Sequence, residues 1–172
     1  MFKKFVFGAI IFYSFISLIN AQGSYDYLVE YLPSVESFGK FTRSEIIIDD
    51  PCEQCLPTVT ILYNNIGQGD IGEEFTDLGQ TISLSLTDCI GASEYLSSML
   101  EFGSESQTYL LVKNKYGGWK EIVENEFGIQ QCTYTFAVID RFLIQISGEK
   151  GNLTSEIESL INNIDLERLE NF

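Results

Sequence analysis

The clearest strand pattern in the chain is TISLSLTD, residues 81–88, in which apolar and hydroxyl-bearing side chains alternate. Such alternation is typical of a strand that buries one of its two faces. TVTILYN, residues 58–64, is rich in β-branched residues and predicts a second strand, while TRSEIIIDD, residues 42–50, predicts a third. The first half of the chain therefore contributes at least three strands to a sheet.

Two hairpins are predicted in the second half. QTYLLVK and WKEIVENE, residues 107–113 and 119–126, flank NKYGG, whose asparagine and glycines suit a tight turn. QCTYTFAVI and RFLIQIS, residues 131–139 and 141–147, flank a tight turn at Asp140 and Arg141. Hairpins join antiparallel neighbours, so most of the sheet should be antiparallel.

Apolar residues at helical spacing predict three helices, over residues 24–32, 92–102 and 154–172. The inward side of the second consists of Tyr95, Leu96, Met99 and Leu100. The stripe of the last consists of Ile157, Leu160, Ile161, Ile164 and Leu169. Ser155 and Glu158 fit a capping box at its start. The order of elements predicts an α+β fold, a mostly antiparallel sheet packed against helices that include a C-terminal amphipathic helix.

The first residues have the layout of a secretory signal peptide. A pair of lysines precedes an apolar run from Phe5 to Ile19, and Ala21 is a small residue suited to cleavage. The run is about 15 residues, shorter than the roughly 20 that a membrane-spanning helix needs. We therefore predict that residues 1–21 are removed and that residues 22–172 form a single domain, secreted or periplasmic, without a membrane span.

The charge of the chain narrows the classes of partner. It carries 25 acidic and 10 basic side chains, a net charge of −15, and loss of the two signal-peptide lysines makes this −17. Such a surface repels nucleic acid, whereas a basic partner or a hard cation is attracted. Histidine is absent, which excludes Ser-His-Asp and Cys-His catalysis and zinc sites built on histidine.

The four cysteines are the strongest chemical signal. Cys52, Cys55, Cys89 and Cys132 make an even number in an exported chain, which favours disulfides. Four cysteines allow three pairings. We favour Cys89 with Cys132, because they lie at the end of one predicted strand and the start of another, and Cys52 with Cys55 as a local loop.

Two other roles for the motif DDPCEQCLP, residues 49–57, stay open. A thiol–disulfide oxidoreductase needs a lowered thiol pKa, whereas the acids beside Cys52 and Cys55 should raise it. A zinc site usually takes two C-x-x-C pairs, and this chain has one. A structural staple is the interpretation that we prefer.

An acidic loop is the candidate for a metal site. GQGDIGEEFTD, residues 67–77, places Asp70, Glu73, Glu74 and Asp77 close together in sequence. Carboxylates on a flexible loop can hold Ca²⁺, although the spacing does not match an EF-hand. The alternatives are a solvated acidic loop, or a carboxylate pair serving glycoside hydrolysis, which needs a cleft.

Trp119 is the candidate for contact with a ligand. It follows two glycines at the start of a predicted strand. An aromatic at that place either lies on the surface, where it can contact a ligand, or anchors the core. Both interpretations are open at this point.

The chain resembles a loose group of uncharacterised exported bacterial proteins of similar size. The resemblance rests on YLPSVESFGKFTRSE (residues 31–45), ISLSLTDCIGA (82–92) and the ending from DRFLIQIS (140–172). It implies an antiparallel sheet with helices, similar to the PsbP/Mog1-like sandwich. The resemblance brings no activity and no functional residue with it, and the pair Cys52 and Cys55 is not part of its pattern.

Three functional hypotheses follow. The first is a non-catalytic exported domain that binds a protein or a small ligand through a sheet face or the loop at residues 65–79. The second is an enzyme, either carboxylate-based or an oxidoreductase acting through Cys52 and Cys55. The third is a module stabilised by Ca²⁺.

Overall fold

The fold is a single antiparallel sheet of eight strands with four short helices, counted over the described part of the chain. A computed structural model describes residues 26–49, 55–65, 79–101, 103–124, 126, 128–149, 151 and 153–172. The predicted signal peptide lies outside these residues. The elements are α1 (Asp26–Val29), β1 (Ser37–Phe38), β2 (Phe41–Ile48), β3 (Thr58–Asn64), β4 (Thr81–Asp88), α2 (Ser93–Leu100), β5 (Gln107–Val112), β6 (Tyr116–Glu124), β7 (Gln130–Val138), β8 (Phe142–Glu149), α3 (Thr154–Asn163) and α4 (Glu167–Glu170).

The strand order in the sheet is β1-β2-β3-β4-β8-β7-β6-β5. Consecutive strands are neighbours in the sheet, except for β4 and β5, and the last strand, β8, pairs with both β4 and β7. Thr81 is opposite Glu149 in the β4–β8 pair, and Gln131 is opposite the same Glu149 in the β7–β8 pair. Because β4 and β7 are both antiparallel to β8, they run parallel to each other. The two halves of the sheet are therefore joined in its centre by the pairing of β4 with β8, two strands that are distant in sequence.

One face of the sheet, which we call the first face, carries most of the core. The alternation predicted for β4 is confirmed, since Ile82, Leu84 and Leu86 are all buried there. Helices α1, α3 and α4 and the residues next to them cover this face. Their buried side chains are Leu28, Leu32, Ile157, Leu160, Ile161, Ile164, Leu166 and Leu169. The burial of this apolar surface is the main stabilising contribution to the fold.

The other face, which we call the second face, is covered at one end by α2. Leu96 of α2 packs with Leu143 and Cys89 in a smaller apolar cluster. Tyr95, which we predicted to point inward with Leu96, is instead 43% exposed. The rest of this face bears hydroxyl groups that bond to one another, such as Thr60 to Ser85 at 2.8 Å.

The C-terminal helix begins at Thr154 as predicted, but its cap and its end differ from the prediction. Helix α3 ends at Asn163, and α4 is a separate short helix. The predicted capping box is wrong, because Ser155 Oγ donates to Glu156 at 2.7 Å and the carboxylate of Glu158 accepts from the hydroxyl of Tyr134 at 3.0 Å. Glu158 is engaged because the largely buried Tyr134 needs a partner for its hydroxyl.

Candidate functional site

The two cysteines of the sheet form no disulfide with each other. Cys89 and Cys132 are both buried, with free thiols. Burial raises the pKa of the Cys89 thiol, and the charge of Asp88 adds to the effect. Burial also raises the pKa of the Cys132 thiol, whose Sγ lies 3.6 Å from Thr154 Oγ1. Both thiols are therefore poor nucleophiles held in apolar surroundings.

The predicted pairing of Cys89 with Cys132 is wrong because β8 lies between their strands. The backbone N–H of Cys89 donates to Arg141, whereas Cys132 is opposite Gly148. Arg141 and Gly148 are separated by roughly 23 Å along the strand, at about 3.3 Å per residue. A disulfide requires Cα atoms within about 7 Å. Across β8, the end of β4 is level with the end of β7 and not with its start.

Cys55 is exposed in the β2–β3 connection, and Cys52 lies outside the described residues. Their pairing stays a prediction, and a thiol count tests it. We expect a hydrophilic thiol reagent to modify no cysteine in the folded protein, two in denaturant, and four in denaturant after reduction. Four reactive thiols in denaturant without reductant contradict the staple, and none in denaturant means that Cys89 and Cys132 are also bonded in disulfides.

Trp119 anchors α2 and offers no open aromatic surface. Its side chain is only 8% exposed, and its Nε1–H donates to the carbonyl of Met99 at 2.9 Å. The ligand-contacting role that we considered for Trp119 is therefore replaced by the core-anchor interpretation. An indole needs a partner for its single N–H when buried, and the last turn of α2 supplies it.

The candidate calcium ligands, Asp70, Glu73, Glu74 and Asp77, lie outside the described residues. Within the ranges that the structure does describe, no three His, Cys, Asp or Glu side chains are placed to hold a metal ion together. The calcium site thus stays a prediction about the loop.

A buried ion pair lies at one end of the sheet. The side chain of Asp88 has no exposed surface, and Arg141 donates to both of its oxygens, from Nε at 2.8 Å and from Nη2 at 2.6 Å. The hydroxyl of Tyr27 and the backbone N–H of Ile90 also donate to this carboxylate. We call these four residues the Asp88 cluster. It joins α1, the end of β4 and the β7–β8 turn.

Both carboxylate oxygens of Asp88 accept hydrogen bonds within the Asp88 cluster, which favours the ionised form. Burial alone acts to raise the pKa of Asp88, but hydrogen bonds from Arg141, Tyr27 and Ile90 outweigh it and lower that pKa. The pKa of Tyr27 is raised, first by burial and then by its bond to Asp88. The Arg141 guanidinium lies over the Phe172 ring at 4.2 Å. Every charge has its partner, so the cluster holds segments together and has no proton to exchange near neutral pH.

The outer edge of β2 is a margin of the sheet that the described strands leave largely uncovered. Strand β1 pairs with β2 only from Ser37 opposite Thr42 to Phe38 opposite Phe41. The backbone N–H of Arg43 then donates a hydrogen bond to the carbonyl of Glu36. From Ser44 onward, the described residues provide no strand on this side. We call residues 46–48 the open edge.

Hydrogen-bonding groups of the open edge can be assigned from the ladder to β3. Asp49 donates its N–H to the carbonyl of Thr58, and Ile47 is opposite Thr60 two residues earlier in the same register. Backbone groups alternate along an antiparallel strand. The N–H and C=O groups of Ile46 and Ile48 therefore point outward, away from β3.

The side chains of the open edge are apolar and lie between two acids. Ile46, Ile47 and Ile48 are 37%, 38% and 42% exposed, and the exposed acids Glu45 and Asp49 stand on either side of them. Exposed apolar edge strands invite pairing with another chain, and flanking charges are the usual protection against uncontrolled pairing.

The run of isoleucines is visible in the sequence, but its position at the margin of the sheet is not. The three consecutive isoleucines predict a strand, but they do not say where in the sheet that strand lies. A register bulge between Arg43 and Glu45 shifts β2, and β1 is too short to cover it. Only the strand order reveals that the isoleucines lie at the margin of the sheet.

Comparison of the chain with models of protein families, with characterised proteins and with solved structures gave no match. The resemblance to exported bacterial proteins and to the PsbP/Mog1-like sandwich stays a prediction. Among the described residues, no helix is long and apolar enough to cross a membrane.

Proposed function

We propose that the protein is a non-catalytic exported binding module that holds a segment of another protein at the open edge of β2. The observation that carries the proposal is the outward-facing backbone of Ile46 and Ile48 together with the exposed isoleucine side chains. The proposal keeps the α+β assignment, the export expected from the signal peptide, and residues 22–172 as the binding domain.

Strand addition is the binding mode that this geometry supports. An extended segment gains main-chain hydrogen bonds from a sheet edge, while alternate side chains beside it give specificity. The open edge offers two outward N–H groups and two outward carbonyls. The neighbouring connection between β2 and β3 contains Cys52 and Cys55, and a local disulfide there would stiffen the end of the edge.

The ion pair and the thiols of the sheet support the same proposal. The carboxylate of Asp88 is fully engaged by its donors, and the thiols of Cys89 and Cys132 are buried with raised pKa values. These groups hold the domain together, and the proposal rests on the open edge rather than on them.

Selection from a random heptapeptide library tests the proposal. We expect selected peptides to bind the protein and to bind the Ile48→Pro variant at least about tenfold more weakly. Proline removes the outward N–H of residue 48 without removing a bond of the β2–β3 ladder, and proline is tolerated on edge strands. Ile48→Val is the matched control, because it keeps both the N–H and a β-branched side chain.

The thermal midpoints of both variants must stay close to that of the parent protein, which shows that the domain is folded. The proposal is wrong if no peptide is enriched over a plate control, or if folded Ile48→Pro binds the enriched peptides as tightly as Ile48→Val does.

A further inference from the structure

We propose that the segment bound by the open edge carries basic residues four positions apart, with three apolar residues between them. This inference rests on the proposed function and specifies the chemistry of the partner. The open edge together with its flanking acids, residues 45–49, determines the pattern.

The register of β2 gives the spacing of the two basic residues. Glu45 is opposite Leu62 and Ile47 is opposite Thr60, so both point to the second face, and Asp49 follows on that face by alternation. Ile46 and Ile48 point to the first face. An added strand therefore meets acid, isoleucine and acid on one face, and two isoleucines on the other.

Cross-strand neighbours prefer opposite charges and apolar pairs. Lysine or arginine opposite Glu45 and Asp49 satisfies the first preference, and β-branched residues beside the three isoleucines satisfy the second. The net charge of −15 extends the attraction beyond the contact itself, because it favours encounters with basic chains.

The same arrangement disfavours a second copy of this chain as the occupant. An antiparallel pairing of two open edges that puts Ile47 opposite Ile47 also puts Ile46 opposite Ile48. That register places Glu45 opposite Asp49 twice, and like charges directly opposite destabilise a pair. Two copies also repel each other through their net charge. Pairing of two copies through the open edge is thus disfavoured, whereas pairing with a basic strand is not.

The opposite margin of the sheet, β5, is a weaker candidate for this partner. Tyr109 and Leu111 are exposed there, but Lys113 follows them directly. The exposed acids that flank the β2 edge have no equivalent within β5, whose sequence is QTYLLV.

Two synthetic peptides of matched shape test the inference. The capped peptide TKVVVKT has the predicted pattern, and TEVVVET differs only in the sign of its two charges. We expect the lysine peptide to bind about tenfold more tightly at low salt, and the ratio to fall as salt is added, because exposed charges are screened. Fluorescence anisotropy of labelled peptides measures both affinities.

A charge-reversed edge separates local contacts from net charge. In the double variant Glu45→Lys with Asp49→Lys, we expect the glutamate peptide to become the tighter ligand. The double variant Glu101→Lys with Glu105→Lys is the matched control, because it makes the same change in net charge at exposed sites away from β2. The control should keep the preference for the lysine peptide.

The outcomes distinguish this inference from the proposed function. Equal binding of both peptides that Ile48→Pro abolishes overturns the charge pattern and leaves strand addition intact. Failure of both peptides and of the library selection overturns both proposals. An equal loss of preference in the two double variants means that net charge alone attracts the peptide, which also overturns the pattern. A dimer that forms at micromolar concentration through β2 contradicts the argument against a second copy.

Discussion

Asp88→Ala is expected to lower the free energy of unfolding by about 3 kcal/mol, which corresponds to a fall of roughly 6–12 °C in the thermal midpoint of a domain of this size. The substitution removes the buried acceptor of Arg141 and of the hydroxyl of Tyr27. We take the lower end of the range for a broken buried ion pair because the Arg141 side chain is 23% exposed and can still reach water.

Asp140→Ala is the matched control for this substitution. Asp140 is an exposed acid in the same β7–β8 turn, so its loss should change stability by no more than about 0.5 kcal/mol. Denaturant unfolding followed by circular dichroism measures both variants. A change below about 1 kcal/mol for Asp88→Ala would show that the ion pair contributes little.

The stabilising effect of ionised Asp88 should also appear in the pH dependence of the free energy of unfolding. The pKa of Asp88 is lowered in the folded state by Arg141, Tyr27 and Ile90 acting against burial. Its contribution is therefore complete above the ordinary pKa of an aspartate, about 4, and is lost as the pH falls through the lower folded-state pKa. Asp88→Asn should remove this part of the acid dependence, while Asp140→Ala should keep it.

Gly118→Ala is expected to destabilise the protein by about 3 kcal/mol or more. A Cβ at residue 118 meets the carbonyl oxygen of Thr135 at 2.1 Å and the Cβ of Phe136 at 2.6 Å. These atoms belong to the neighbouring strand β7, so the β6–β7 pairing must shift to admit a methyl group. Close approach of two backbones is a recognised reason for glycine inside a strand.

The adjacent glycine provides a stringent control. A Cβ at residue 117 meets only the hydroxyl of Tyr109, at an ordinary contact distance of 3.5 Å. Gly117→Ala should therefore change the free energy of unfolding by less than about 1 kcal/mol. Thermal unfolding of the two alanine variants and the parent protein measures both effects. Equal effects at both positions contradict the close approach of β6 to β7.

Local patterns predicted the strands well, because each depends on neighbouring residues alone. The alternation in TISLSLTD identified the buried side of β4, and the β-branched run TVTILYN matches β3 residue for residue. The turn sequences also predicted both hairpins of the second half, but the first turn is made by residues 113–115, and the glycines predicted to lie in it, Gly117 and Gly118, belong to β6. In these segments, local propensity and tertiary burial favour the same structure.

Features that depend on distant residues were not predictable in the same way. The cysteine pairing failed because nothing in the sequence says that β8 enters between β4 and β7. The capping box failed because Glu158 is engaged by a tyrosine of another strand. The open edge at Ile46–Ile48 was not predictable for the same reason, since only the strand order distinguishes a strand at the margin of the sheet from a central one.

Amide hydrogen exchange at residues 46–49 tests the central claim, that β2 has an open outer edge. In dilute protein, the N–H groups of Ile46 and Ile48 should exchange much faster than those of Ile47 and Asp49, which face β3. Addition of TKVVVKT should slow the two outward amides and leave the inward pair unchanged. Equal protection of all four amides in the dilute protein alone would contradict the account, because it would mean that the edge is already covered.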